Sequence, residues 1–75
     1  MSHDAEVDAR GLLCPLPVLK ARKRLQGLAS GQVLKVWADD PAAVVDLPHF
    51  CIEAGHDLVS AETDDTDQVY LIRKG

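Results

Sequence analysis

The hydrophobic spacing of this chain switches between the period of a strand and the period of a helix, in an order few small folds satisfy. Ala5-Glu6-Val7-Asp8-Ala9 alternates apolar and acidic residues, the two-residue repeat of a half-buried strand. After Arg10 and Gly11, the stretch Leu12-Leu13-Cys14-Pro15-Leu16-Pro17 leads into a run of helical period. At 100° per residue, Val18, Ala21, Leu25, Leu28 and Ala29 share one arc, and Lys20, Lys23 and Arg24 share the opposite one. Pro15 and Pro17 place the start of this helix just after Cys14, because a first-turn N–H has no intrahelical acceptor to lose. Ser30-Gly31 ends it, with Gly27 loosening the last turns.

Gln32 to Ala38 reads as a second strand, with Val33, Leu34, Val36 and Trp37 supplying bulky apolar surface. Asp39-Asp40-Pro41 then gives a cap followed by a first-turn proline, so a second helix is predicted from Pro41 to Ala54, stopped by Gly55. Pro48 falls inside it and predicts a kink, or a break into two short helices, near Leu47. Asp57 to Thr63 alternates as a third strand. The turn-like Asp64-Asp65-Thr66-Asp67 leads to a fourth at Gln68 to Lys74. The order is β-α-β-α-β-β. In 75 residues, two helices cannot pack on each other and also cover both faces of a sheet. The expected fold is therefore α+β: a two-layer α/β sandwich, a four-stranded mixed sheet with two helices on one face, forming one domain over residues 1–75.

Composition narrows the function. With 47% hydrophobic residues, a core is attainable without metal or disulfide staples, and disorder is excluded. One Trp, one Tyr and one Phe are too few for an aromatic platform that stacks bases. The net charge of −4 argues against direct, non-specific nucleic-acid binding, although residues 1–37 hold six Lys/Arg against three Asp/Glu. No stretch approaches the roughly 20 apolar residues of a membrane span. The opening Met1-Ser2-His3-Asp4-Ala5-Glu6-Val7 lacks the basic and apolar regions of a signal peptide, so the expected location is cytoplasmic.

Cys14 and Cys51 are read as free thiols, since neither has a second Cys or His at zinc-finger spacing. A thiol at a helix N-cap faces the positive end of the helix dipole and free first-turn N–H groups, notably those of Leu16 and Val18, which would stabilise a thiolate or persulfide anion. The bland alternative makes Cys14 a small hydrophobe between Leu13 and Leu16. Lys20, Lys23 and Arg24, with Arg10, flank the thiol and suit recognition of an acidic partner, or else form an ordinary solvated face. Cys51 reads as core beside Phe50 and Ile52, with a resolving thiol as the alternative. His3, His49 and His56 are too scattered for a metal triad, and Asp64, Asp65 and Asp67 lack the Gly and bidentate Glu of a calcium loop. No metal and no cofactor are expected. Asp39 and Asp40 read as helix caps.

Asp8-Ala9-Arg10-Gly11-Leu12-Leu13-Cys14-Pro15-Leu16-Pro17, Ala38-Asp39-Asp40-Pro41-Ala42, Asp46-Leu47-Pro48-His49-Phe50-Cys51 and Tyr70-Leu71-Ile72-Arg73-Lys74-Gly75 together resemble the TusA (SirA-like) sulfur-carrier family over nearly the whole chain. The resemblance implies an open-faced two-layer α/β fold and a sulfurtransferase that carries sulfane sulfur as a persulfide on Cys14. It also implies a cysteine desulfurase or rhodanese-like donor and a DsrE-type acceptor. The variable position of the Cys-Pro-x-Pro motif is often Glu in members that serve tRNA thiolation and is Leu16 here, which leaves tRNA 2-thiouridine synthesis and dissimilatory sulfur oxidation both open. The resemblance further allows Asp40 a part in shaping the partner surface. The chain is expected to act as a monomer. The rival reading is a non-catalytic RNA-binding or regulatory interaction module with a structural Cys14. The same small architecture resembles an RNA-binding domain of a translation initiation factor, but shared fold alone says little about function.

Overall fold

The computed structural model describes residues 3–75; Met1 and Ser2, which enter only the reading of the leader segment, lie outside the described residues. The elements are β1 (Ala5–Asp8), α1 (Leu16–Gln26), β2 (Val33–Ala38), α2 (Ala43–Ala54), β3 (Asp57–Thr63) and β4 (Gln68–Arg73), in the expected order. They form a four-stranded mixed sheet ordered β1-β2-β4-β3. β1 runs parallel to β2, with Val7 opposite Val36, and the crossover that a parallel pair requires is α1. β4 lies antiparallel to both of its neighbours, which places β1 and β3 at the edges.

Strand alternation divides the sheet into two unlike faces. Leu34, Val36, Ala38, Tyr70 and Ile72 are fully or almost fully buried under the helices, against Ala21 and Leu25 of α1 and Leu47 and Cys51 of α2. The intervening residues face the open side. There the Trp37 indole N–H donates to Glu6 Oε2 at 2.7 Å, and Lys35 Nζ and the Arg10 guanidinium lie 4.7 and 5.0 Å from its ring centre. The open face is thus protected by one aromatic ring and its polar escort rather than by a third layer.

Three boundaries differ from expectation. α1 begins at Leu16, with Pro15 as its cap residue, and ends at Gln26, with Gly27 closing it: the Gly27 N–H donates to the Arg24 carbonyl and the Leu28 N–H to that of Leu25. Leu28 leaves the helix but still packs on the core. α2 starts at Ala43, because Asp40, Pro41 and Ala42 form a preceding turn in which the Ala43 N–H reaches the Asp40 carbonyl at 2.9 Å. It then runs through Pro48 as one helix, so of the expected kink or break the break into two helices does not occur. The acceptor that Pro48 leaves unserved is the carbonyl of Val44, a residue exposed to solvent, which lowers the cost of the missing bond. Gly55 takes the left-handed conformation at φ 79°, which ends α2 and lets the His56 N–H return to the Cys51 carbonyl at 2.9 Å.

A short polar chain crosses the buried layer. The Tyr70 hydroxyl donates to Gln68 Oε1 at 2.6 Å, and Gln68 Nε2 donates to the Asp40 carbonyl at 2.9 Å. Both side chains are almost fully buried, so their polar groups are satisfied only by each other and by the β2–α2 turn. Replacing Gln68 by Leu strands the Tyr70 hydroxyl and the Asp40 carbonyl together. We expect it to cost about 1–3 kcal/mol in urea unfolding, and a change within experimental error would show that the chain contributes nothing.

Candidate active site

Cys14 lies in the loop between β1 and α1, one residue before the cap of α1, and is exposed. The loop is fastened at both ends by carboxylates from the β2–α2 turn. Asp39 Oδ1 accepts from the Gly11 N–H at 2.9 Å, and Asp40 Oδ2 accepts from the Cys14 N–H at 2.7 Å. Gly11 is needed at its position because the chain turns there with φ 81°, a conformation unfavourable for residues with a Cβ. Asp40 also accepts from the Ala42 N–H through Oδ1 at 3.3 Å. The sequence pattern of Asp39 and Asp40 is that of helix caps. In the structure α2 has no side-chain cap, and the two aspartates act mainly across the fold, on the thiol-bearing loop.

The electrostatics of the thiol also depart from expectation. The Leu16 N–H is engaged by the Leu13 carbonyl at 2.8 Å rather than free for an anion. The carboxylate of Asp46, in the first turn of α2, lines the same groove as the Cys14 thiol and raises the thiol's pKa above the ordinary value. Partial loss of hydration and the nearby Asp40 charge act in the same direction. Both carboxylates oppose the partial positive charge at the start of α1. The carboxylates and the partial loss of hydration all favour the protonated thiol over the thiolate. Cys51 is a different kind of cysteine: it is 1% exposed, packed in the core, and held up to about 11 by burial alone.

The remaining sequence candidates separate spatially. The Arg10 guanidinium is committed on the open sheet face, in paired bonds to Asp8 at 2.9 and 3.0 Å, and it holds the Asp8 carboxyl down to about 2. It does not line the cavity at Cys14. Lys20 Nζ donates to the Asp8 carbonyl at 2.7 Å and so ties α1 to the end of β1. Lys23 and Arg24 are exposed on the solvent face of α1. Leu16 is exposed beside the thiol, whereas Pro17 is buried and anchors the first turn of α1. His49 pairs with Glu53 along α2, and among the described residues no group of three His, Cys, Asp or Glu side chains is arranged to hold a metal.

A groove of about 540 Å³ between α1 and α2 opens at Cys14. Its walls include Val18, Leu19 and Phe50, and its polar rim includes Arg22 and Asp46. The sequence reading passed over both polar residues. Arg22 carried a signal, since at 100° per residue it falls about 40° from Val18, at the edge of the apolar arc of α1. Asp46 carried none that related it to residue 14.

A small two-layer α/β domain that presents one exposed, fastened cysteine and buries the other has the form of a thiol carrier. The Sulfurtransferase TusA family model matches residues 5–74, and the chain belongs to that family. Its structure is also similar to the crystal structure of a SirA-like protein from Desulfitobacterium hafniense. The TM-score is 0.82 at 29% identity, over 96% of this chain and 99% of that one. Membership brings a sulfurtransferase and sulfur-carrier role in general terms. Among the described residues no helix is long and apolar enough to cross a membrane.

The charge arrangement gives a pH test. Asp46→Asn removes a negative charge while keeping a polar acceptor, so the pH profile of Cys14 alkylation by iodoacetamide should move to lower pH and the rate at pH 7.5 should rise. Cys51 should stay unmodified in the folded protein throughout. An unmoved profile would remove Asp46 from the control of the thiol.

Proposed function

We propose that this protein accepts sulfane sulfur on Cys14, carries it as a persulfide and hands it to an acceptor protein. The observation behind this reading is the contrast between the two cysteines of a TusA-family chain: Cys14 is exposed on a loop with two carboxylate fastenings, and Cys51 is enclosed. In loading, the Cys14 thiol loses its proton and the thiolate attacks the terminal sulfur of a donor persulfide. A bond forms between Cys14 Sγ and that sulfur, the donor's S–S bond breaks, and the donor cysteine leaves as a thiolate. Delivery repeats the step in reverse roles, with the acceptor thiolate attacking the terminal sulfur on Cys14. No net oxidation occurs and no cofactor takes part.

The raised pKa has two consequences for this chemistry. An unloaded carrier resists adventitious oxidation because little thiolate is present. The thiolate that does form is more basic and intrinsically more nucleophilic than an acidified one. A persulfide is more acidic than its parent thiol, so the loaded group ionises more readily beside the same carboxylates. A cysteine desulfurase or rhodanese-like protein fits as donor and a DsrE-type protein as acceptor, in tRNA 2-thiouridine synthesis or dissimilatory sulfur oxidation in the cytoplasm. Lys23 and Arg24, exposed on α1, are assigned to encounter with an acidic partner surface, with Lys20 in a secondary part because its ammonium is already bonded.

Incubation with a cysteine desulfurase and cysteine should add the mass of one sulfur atom, removable by reductant. Cys14→Ser should abolish the addition. Cys51→Ala should keep it, at about 1 kcal/mol of stability for the lost packing. Undiminished uptake by Cys14→Ser would overturn the assignment, and loss of uptake in a folded Cys51→Ala protein would make Cys51 a participant.

A further inference from the structure

The groove that starts at Cys14 is more than the immediate surroundings of a thiol. It passes Val18 and Phe50 and reaches Arg22, and beyond it a second recess of about 160 Å³ continues along the same two helices. Arg22, Phe50 and Ala54 line both, and the far recess adds His56 and Lys74. The floor is apolar, and the polar groups are sorted by sign along its length. Asp40 and Asp46 stand at the Cys14 end, and Arg22 and Lys74 at the other. Between them Glu53 is already paired with His49, while no carboxylate among the described residues forms an ion pair with Arg22. An exposed cation on the rim of an apolar groove, with no ion-pair partner among the described residues, is placed for an anion supplied from outside.

Spacing fixes the kind of molecule that meets both ends. Arg22 lies about 9 Å along the helix axis from Leu16, the first residue of α1, at 1.5 Å per residue, and Cys14 stands in the loop just before that start, so the two ends are separated by roughly 9–12 Å. An extended peptide covers that distance in three to four residues at about 3.3–3.6 Å each. We infer that the groove receives an extended segment of the sulfur-exchanging partner, with the partner's cysteine at Cys14 and an acidic side chain three to four residues away at Arg22. This rests on the carrier reading for its biological sense. The groove's preference itself requires only a free thiol at Cys14. The apolar walls hold the intervening residues, and the acidic side chain sets the register of the segment so that its sulfur meets Sγ.

The test uses synthetic pentapeptides with cysteine at one end, aspartate at the other and three alanines between, made in both orders. Each is activated as a mixed disulfide with 5-thio-2-nitrobenzoate. Cys14 thiolate attacks the peptide sulfur, a disulfide to Cys14 forms, the bond to the aryl sulfur breaks, and the coloured aryl thiolate leaves. The readout is the ratio of this rate to that of the matching peptide with asparagine in place of aspartate, measured on the intact Cys51→Ala protein. We expect a ratio of about three- to fivefold for at least one order at low salt, collapsing toward one in Arg22→Ala and when aspartate is moved next to cysteine. Arg22→Glu should reverse the preference in favour of a lysine peptide. Equal rates for aspartate and asparagine peptides in both orders, or a preference that survives Arg22→Ala, would overturn the inference. Because the ratio comes from disulfide exchange, it is decided independently of whether the protein takes up sulfur as a persulfide.

Discussion

Asp40 joins the parts of this protein that matter for its chemistry. Its carbonyl receives the buried amide of Gln68, which is held in turn by Tyr70; its Oδ2 receives the Cys14 N–H; and its Oδ1 receives the Ala42 N–H in the turn that starts α2. One residue therefore connects the core of the sheet, the entrance to the second helix and the loop that bears the thiol. Asp39 repeats the fastening three residues earlier in the loop, at Gly11. An exposed loop without such anchors samples many conformations, and ordering it at each encounter would cost about 1–2 kcal/mol per residue fixed. Here much of that ordering is already done in the free protein, which is what a small carrier with no enclosed cleft requires.

The anchoring has an electrostatic side effect. The Asp40 carboxylate that holds the loop also acts on the sulfur, as does Asp46 on the wall of the same groove, so both favour the protonated thiol. Helix-start cysteines are commonly read as acidified, and the elements for that are present. What decides the sign is the number and distance of full charges, against which the end of one short helix is a weak source. A carrier gains from this arrangement, since its unloaded form meets oxidants as a thiol. The energetic burden of deprotonation then falls on the complex, where a partner's groups stand beside the sulfur.

Most of the fold was legible because its signals are local. Alternation in Ala5–Ala9 and Asp57–Thr63 and the helical arc of Val18, Ala21 and Leu25 mark the elements that form, and Gly55 marks a real helix end. The errors arose where tertiary contacts override a local rule. Asp39-Asp40-Pro41 looks like a cap for α2, but its aspartates have stronger uses in bonding amides 26 and 28 residues away. Pro48 looks like a breaker, but its missing bond falls at an exposed carbonyl. At the site, the Cys-Pro-Leu-Pro motif and the family resemblance pointed to Cys14, whereas its neighbours did not emerge from spacing. Arg10 is close in sequence yet turned to Trp37 on the opposite face, and Asp46 is distant in sequence yet lines the same groove as the thiol.

The account rests on the Cys14 loop being held by the Asp40 side chain, and amide hydrogen exchange at Cys14 measures that bond alone. In the wild-type protein the Cys14 N–H should be clearly protected despite its exposed setting. In Asp40→Ala it should exchange near the rate of an unstructured peptide, while amides of the β2–β4 ladder remain slow. Equal exchange at Cys14 in the two proteins would contradict the account, because the loop would then owe its conformation to something other than the carboxylate of Asp40.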